Sequence, residues 1–268
     1  MAVAQDVKTN KQKSNNLCEE VKISIRGLKV ILGNKAVLNG IDLDVHTGKT
    51  LAIMGLSGMG KSTLIRSIIR LIHPDEGEII VDCRDVLKMT RDELYDFRKK
   101  VGMVFQKAAL FDSMTVAENV GFGLREHTKL SDAEIRRNVL EKLSIVDLEG
   151  KENMLPAELS GGMQKRASFA RAICTNPEIV LYDEPTTGLD PIICNVINKL
   201  IIDLKKRFRV TSIVVTHDLE SAYMVADEIA MLHEGKIIEV GTPEQFKNSS
   251  NPIVRQFVNG TSVGPIKV

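Results

Sequence analysis

The chain has 268 residues, and 43% of them belong to the hydrophobic set, which is enough to bury a sizeable core in one large α/β domain or in a core domain with a smaller one attached. Its 36 Lys and Arg residues nearly balance its 35 Asp and Glu residues, and the formal net charge of +1 argues against a nucleic-acid-binding protein. The four cysteines form no C-x-x-C pair and no apolar run reaches about 18 residues, so the sequence predicts no zinc site, no disulfide framework and no transmembrane helix.

Residues 1–20 are polar and lack the apolar stretch of a secretory signal, so we expect a disordered arm on a soluble protein that faces the cytosol. The next stretches, VKISIRG and IDLDVHTG, alternate apolar and polar residues with period two, which predicts half-buried strands. The runs LAIMG, VGMVF, EIVLYDE and VTSIVVTH are continuously apolar, as in strands of a parallel sheet that is covered on both faces. Helical patterns such as STLIRSIIRLI and PIICNVINKLIIDLKKR lie between them, and this alternation predicts a parallel α/β core.

Residues 107–165 carry no good strand pattern, and they predict a helical subdomain inserted into the α/β core. Thr115 with Glu118, and Ser131 with Glu134, have the S/T-x-x-E spacing of a capping box ahead of a helix. The main domain is therefore expected over residues 21–245, and residues 246–268 predict a short helix and an irregular tail.

The stretch GLSGMGKST follows one of the apolar runs and opens a helical pattern, which is the context that a phosphate-binding loop requires. Its glycines allow close backbone approach to phosphate oxygens, and the N–H groups of the loop and of the helix start bind anions. A glycine-rich turn without a ligand is the alternative, but the lysine, the hydroxyl and both flanks are in place. The predicted nucleotide-binding residues are Gly55, Leu56, Ser57, Gly58, Met59, Gly60, Lys61, Ser62 and Thr63.

Two carboxylates, Asp183 and Glu184, end the run EIVLYDE. Such a pair often only caps the next helix. Beside a phosphate loop, Asp183 is expected to hold Mg²⁺ through water, while Glu184 orients and deprotonates the attacking water.

The stretch LSGGMQKR at residues 159–166, together with the phosphate loop, resembles the ATP-binding cassette (ABC) family, the motor subunits of ABC transporters, over most of residues 22–245. Gln106 stands where that family has its Q-loop glutamine, Asp190 in its D-loop, and His217 at its switch histidine. The resemblance implies a P-loop NTPase cassette with a mostly parallel core sheet, an N-terminal antiparallel β subdomain and an inserted helical subdomain.

The resemblance also implies the site's chemistry. Two cassettes would sandwich two ATP molecules head to tail, so the partner would be a second copy of this chain. In each site Lys61, Glu184, His217 and Gln106 would be catalytic, with Glu184 as general base. Mg²⁺ would be held by Ser62, Gln106 and Asp183. The signature residues Ser160, Gly161 and Gly162 would face the γ-phosphate held by the other copy.

One expected feature of the family is missing, because no Phe, Tyr or Trp precedes Tyr95 to stack on adenine. The positions that match it best hold Val30 and Leu32, so we expect aliphatic contacts to the base at these residues.

The segment 107–127 lies where the family docks an integral-membrane permease subunit. Its sequence, ALF…SMTVAENV…LREH, is most similar to that of Mla/Mce-type cassettes. Those move phospholipids between bacterial membranes, which implies a membrane-tethered Mce-type lipid-binding subunit and a peripheral position on the cytoplasmic face of the inner membrane. Three alternatives stay open: a subunit of an amino-acid or other small-solute importer, a soluble ABC ATPase of DNA repair or translation, and a small-molecule kinase.

Overall fold

The structure, a computed structural model, describes residues 20–267, and its centre is a six-stranded sheet in the order β10-β9-β3-β8-β7-β6. Five of the strands run parallel, and β10 is antiparallel to β9. Every residue of β3, β7 and β8 is buried, which is why these strands read as continuous apolar runs. The bounds are β3 Thr50–Met54, β6 Val101–Val104, β7 Ile179–Asp183, β8 Thr211–Val215, β9 Glu228–His233 and β10 Lys236–Gly241.

A second, antiparallel sheet has the order β2-β1-β4-β5. Its strands are β1 Val21–Leu32, β2 Lys35–His46, β4 Glu76–Val81 and β5 Arg84–Asp85. Apolar side chains of β1 and β2 pack in one core with β3 and with the first helix, so this sheet covers the parallel one. The expected N-terminal antiparallel subdomain is confirmed.

Nine α-helices are assigned within residues 20–267, together with short 3₁₀ turns at Val86–Lys88 and Pro156–Glu158. They are α1 Lys61–Ile68, α2 Arg91–Lys99, α3 Val116–His127, α4 Asp132–Ile145, α5 Gly161–Ile173, α6 Pro191–Phe208, α7 Leu219–Val225, α8 Pro243–Lys247 and α9 Pro252–Asn259. No helix in this part of the chain is both long enough and apolar enough to cross a membrane.

Helices α3, α4 and α5 form a helical layer, and the stretch between β6 and β7, described throughout, contains no strand. Thr115 and Ser131 cap α3 and α4 with complete capping boxes, as their spacing predicts. The apolar faces of the three helices share one core, which includes Val120, Val139 and Phe169.

After residue 245 the structure has one complete helix, α9, and the end of α8, which begins before the predicted boundary. Phe246 of α8 and Val254 of α9 pack on Met54 and Met231 of the parallel sheet. Of the predicted N-terminal arm, residues 1–19 lie outside the described residues.

The topology brings the candidate functional residues together. Because β3, β6, β7 and β8 are parallel neighbours, the segments after them meet at one edge of the sheet, where α/β proteins bind ligands. The phosphate loop follows β3, Gln106 follows β6, Glu184 follows β7 and His217 follows β8.

Candidate functional site

The phosphate loop is a tight turn, and at two of its positions only glycine fits. Gly55 has φ +149°, and a Cβ there would lie 2.3 Å from the carbonyl oxygen of Leu232. Gly60 has φ +97°, and its Cβ would lie 2.9 Å from the carbonyl oxygen of Val37. Gly60 precedes α1 and makes no side-chain cap, so the first N–H groups of α1 are available to an anion.

Lys61 is folded over this loop. Its Nζ atom donates to the carbonyl oxygens of Gly55 (2.8 Å) and Leu56 (3.1 Å) and lies 3.6 Å from Oε1 of Glu184. Burial lowers the pKa of Lys61, and the nearby carboxylate of Glu184 opposes that change. The ammonium is thus buried at the point where the loop would receive the β- and γ-phosphates.

Asp183 is fully buried at the end of β7 and holds two partners from α1. Ser62 donates from Oγ to Oδ1 (2.6 Å), and Arg66 donates from Nη2 to Oδ2 (2.9 Å). Ser62 and Asp183 therefore present two hard oxygen donors side by side, which is the ligand chemistry that Mg²⁺ prefers. Arg66 was missed by sequence reasoning, although its i+4 spacing from Ser62 places both on one face of α1.

Glu184 is buried in an unusual backbone conformation beside His217. Its φ of +50° is strained for a non-glycine residue, and such strain concentrates at functional sites. Its Oε2 atom accepts from Thr187 Oγ1 (2.9 Å) and lies 2.8 Å from His217 Nδ1. Thr187 was missed by sequence reasoning, and its position three residues after Glu184 in the turn is the signal that could have found it.

Gln106 belongs to a segment that we call the glutamine loop (residues 105–109). Its side chain is exposed, while carbonyl groups of the loop accept hydrogen bonds from α5. The donors are Lys165 and Arg171, two cations that sequence reasoning did not single out.

The signature residues begin α5. Ser160 caps the helix, with its Oγ accepting from the N–H of Met163 (3.3 Å), and Ser160 and Gly161 are exposed. Within residues 20–267, no hydrogen bond or ion pair joins Ser160, Gly161 or Gly162 to the phosphate loop. Asp190 caps α6 by accepting from the N–H groups of Ile192 and Ile193. The chain thus gathers one set of site residues and leaves the signature on a separate exposed surface.

The expected base contact at Val30 is wrong. Val30 is 0% exposed, because it points into the core between the two sheets, and it cannot reach a base from there. Leu32, at the end of β1, is 48% exposed and remains the candidate, next to Ile31 at 40%. The β1–β2 hairpin also lies against the phosphate loop, as the close approach of Val37 to Gly60 demonstrates.

The sequence profile of the family described as ABC transporter matches residues 38–187, more than half of the chain. The chain belongs to the ABC transporter family. It is an ATP-binding cassette, the ATP-hydrolysing subunit of a transporter, as the phosphate loop and the signature helix imply.

Two groups of similar ABC proteins span most of the chain. The intermembrane phospholipid transport system ATP-binding protein MlaF of Haemophilus influenzae is 42% identical over 245 residues, which cover 91% of this chain and 93% of that protein. The probable ribonucleotide transport ATP-binding protein mkl of Mycobacterium leprae is 41% identical over 246 residues, 92% of this chain and 71% of that protein.

Solved ABC structures share the fold. CbiO1 of Clostridium perfringens, described as part of the ABC transporter complex cbiONQ, has a TM-score of 0.79 and 29% identity, and the match covers 89% of this chain and 94% of that one. The bacterial ABC transporter cassette MJ0796, described as dimeric, has a TM-score of 0.76 and 34% identity, over 82% and 98% of the two chains. The fold predicted from the sequence, an ABC cassette with a parallel-rich core, is confirmed.

Proposed function

We propose that this ABC ATPase powers the transport of phospholipids between two bacterial membranes. The observation that carries the proposal is the 42% identity to a MlaF protein along nearly the full length of both chains. The similarity covers 91% of this chain, so it extends beyond the ATP site to the segment where a permease would dock.

Within the site, Lys61 and the N–H groups at the start of α1 would bind the β- and γ-phosphates. Ser62 and Asp183, whose oxygens are in contact, would hold Mg²⁺ with Gln106, and the ion would neutralise phosphate charge during hydrolysis. Arg66 forms an ion pair with the other carboxylate oxygen of Asp183, Oδ2, so the buried carboxylate has a cationic partner before the nucleotide binds.

Glu184 would orient the attacking water and accept its proton as the water oxygen bonds to the γ-phosphorus and the bond to the β-phosphate oxygen breaks. Thr187 and His217 both contact Oε2 of Glu184, while Oε1 lies 3.6 Å from Nζ of Lys61. When Lys61 binds the phosphates instead, Oε1 would be the oxygen that accepts from the water. In the contact with Oε2 the Nδ1 atom of His217 would carry the proton, because a carboxylate only accepts, and Nε2 of the neutral ring would then accept a hydrogen bond from a water beside the γ-phosphate.

A second copy would complete each site. The start of α5, with Ser160 and Gly161 exposed, would be an anion-binding helix terminus, and no side chain between residues 20 and 267 other than the capping Ser160 forms a hydrogen bond with it. Binding of the other copy's ATP at this helix terminus would agree with the dimeric structure described for MJ0796. Asp190 would contact the opposite copy near the same nucleotide.

The permease would dock where the segment 107–127 borders the parallel sheet. A cleft of about 350 Å³ lies there, lined by Met103, Phe105, Phe111 and Phe122 with Arg98 at its rim. Through this cleft the chain would sit on the cytoplasmic face of the inner membrane, beside a permease and a membrane-tethered Mce-type lipid-binding subunit.

A second candidate cargo, a ribonucleotide, follows from the name of the mycobacterial relatives, which are 41% identical. The phospholipid proposal is favoured because the MlaF match covers 93% of its relative, against 71% for mkl.

The test is transport by the complex that co-purifies with this chain from detergent-solubilised membranes, reconstituted in liposomes. We expect labelled phospholipid to move only with Mg-ATP, and Lys61→Ala to abolish the movement. Stimulation of ATP hydrolysis by ribonucleotides or amino acids, with no ATP-dependent movement of phospholipid, would contradict the proposed cargo.

A further inference from the structure

Lys165 is a buried cation that the hydrolysis mechanism does not use. It lies on α5, five residues after the signature serine, and its side chain is only 4% exposed. Its Nζ atom donates to the carbonyl oxygens of Phe105 (3.1 Å) and Gln106. Both acceptors are main-chain groups of the glutamine loop.

Arg171 makes a second pair of bonds between the same two elements. Its Nη1 atom donates to the carbonyl oxygen of Ala109 (2.6 Å), and its Nη2 atom donates to that of Ala108 (3.0 Å). Ala109 has φ +51°, a strained conformation for an alanine, so the surrounding bonds must hold it in place. Four carbonyl groups of a five-residue loop therefore accept from one helix.

The buried ammonium carries a substantial cost. Burial lowers the pKa of Lys165 to about 8, and attraction to Asp183 and Glu184 offsets only part of that effect. An apolar side chain would avoid the cost but would leave two carbonyl groups without a donor. The lysine is thus explained by what it binds and not by the stability of α5.

We propose that Lys165 is a positioning residue that fixes the glutamine loop to the helix carrying the signature serine, so that the two move as one body. The consequence rests on the proposed ATP sandwich, in which Gln106 serves the ATP of its own copy and Ser160 serves the ATP of the other. A displacement of the glutamine loop in one site then moves the signature in the other site. Lys165 links the two ATP sites of the dimer.

The first test measures the attachment itself by amide hydrogen exchange in the full-length chain without nucleotide. Lys165→Met removes both bonds to the loop. Exchange of the amide of Phe111, which follows the loop and donates to Oδ1 of Asn119, should then accelerate at least about tenfold, since bonds from a charged donor contribute about 1.5–3 kcal/mol. Lys165→Arg keeps the charge and the donors, and it should restore most of the protection.

Lys142→Met is the matched control. Lys142 is also buried, at 2% exposed, but it lies on α4 over the ring of Phe208 and next to Glu141. Its replacement should leave exchange of the Phe111 amide unchanged. Equal acceleration in Lys142→Met and Lys165→Met, or none in either, would overturn the proposal.

The second test is steady-state ATP hydrolysis by the full-length protein in its co-purified complex. Lys165→Met should lower kcat about tenfold and leave KM for ATP within about twofold, because the phosphate loop that binds ATP is untouched. Lys165→Arg should recover the rate, and Lys142→Met should match the wild type. A change confined to KM, or a full wild-type rate in Lys165→Met, would refute the link between sites.

The two tests separate this inference from the proposed function. If the wild-type complex hydrolyses ATP but Lys165→Met behaves as Lys142→Met does, only the inference fails. If the wild-type complex hydrolyses no ATP, the proposed function fails. Hydrogen exchange then still tests whether Lys165 attaches the glutamine loop to α5. If Lys165→Met does not fold, Lys165→Gln, which keeps two N–H donors without charge, should fold and retain protection of the Phe111 amide.

Discussion

Asn119 holds the segment that precedes α3, and its replacement provides the sharpest stability test. It is fully buried, and its Oδ1 atom accepts from the N–H of Phe111 (2.7 Å). Its Nδ2 atom donates to the carbonyl oxygens of Phe111 (3.1 Å), Met114 (3.0 Å) and Thr115 (3.1 Å). One amide side chain therefore satisfies four main-chain groups of the proposed permease-docking segment.

Asn119→Ala removes all of these bonds. A hydrogen bond contributes about 0.5–1.5 kcal/mol net, and leaving buried groups unpaired adds to the loss, so the free energy of unfolding should fall by about 3–4 kcal/mol. Urea denaturation followed by circular dichroism measures this change, and a lower midpoint with an unchanged slope is expected.

Asn138→Ala is the matched control, because Asn138 makes a single bond from Nδ2 to the carbonyl oxygen of Glu134 within α4. Its loss should cost less than about 1 kcal/mol, since alanine also favours the helix. If the Asn119 and Asn138 variants were destabilised equally, the four-bond account of Asn119 would be refuted.

Three further predictions concern the site and its surroundings. Thr187→Val should lower kcat about tenfold with little change in KM, because the variant loses a bond that orients the Glu184 carboxylate, and steady-state assays with an unchanged rate would contradict that role. Leu32→Tyr should tighten ATP binding about tenfold in calorimetric titrations, as base–aromatic stacking is worth about 1–3 kcal/mol, whereas Val30→Tyr should destabilise the fold because Val30 is buried. The pKa of Lys165, about 8, lies below the ordinary 10.5, so between these values the unfolded state binds more protons than the folded state. The free energy of unfolding should therefore rise with pH over that window, and denaturation series from pH 7.5 to 10.5 should show that Lys165→Met lacks the contribution of this residue to the rise.

The sequence predicted the parts of the fold that local chemistry decides. Strands β3, β7 and β8 are buried throughout and mostly apolar because both faces of the sheet are covered, and that pattern is visible without a structure. The capping boxes at Thr115 and Ser131 satisfy main-chain donors within three residues, so their spacing is enough to predict where α3 and α4 begin.

Element ends were less predictable. The apolar pattern that opens α1 continues to Ile72, but the helix ends at Ile68 and Arg70 takes a left-handed conformation with φ +52°. The start of α8 could have been predicted from the sequence, because Thr242 and Gln245 have the spacing of a capping box and form one.

Contacts between distant segments could not be read from the sequence. Lys165 and Phe105 are 60 positions apart, and only the packing of α5 against β6 brings them together. The burial of Val30 depends on the register between β1 and its neighbours, and a one-residue shift would expose it. The site residues whose types define the family's motifs were predictable, while the residues that hold them in place were not.

The central claim is that ATP bridges two copies of this chain between the phosphate loop of one and the signature helix of the other. The most direct measurement is the mass of Glu184→Gln by light scattering, with and without Mg-ATP, because this variant should bind ATP and hydrolyse it very slowly. The account predicts a monomer without nucleotide and a mass that doubles with Mg-ATP, and Ser160→Arg, which blocks the signature, should abolish the doubling. An unchanged mass at protein and ATP concentrations well above the nucleotide affinity would contradict the claim.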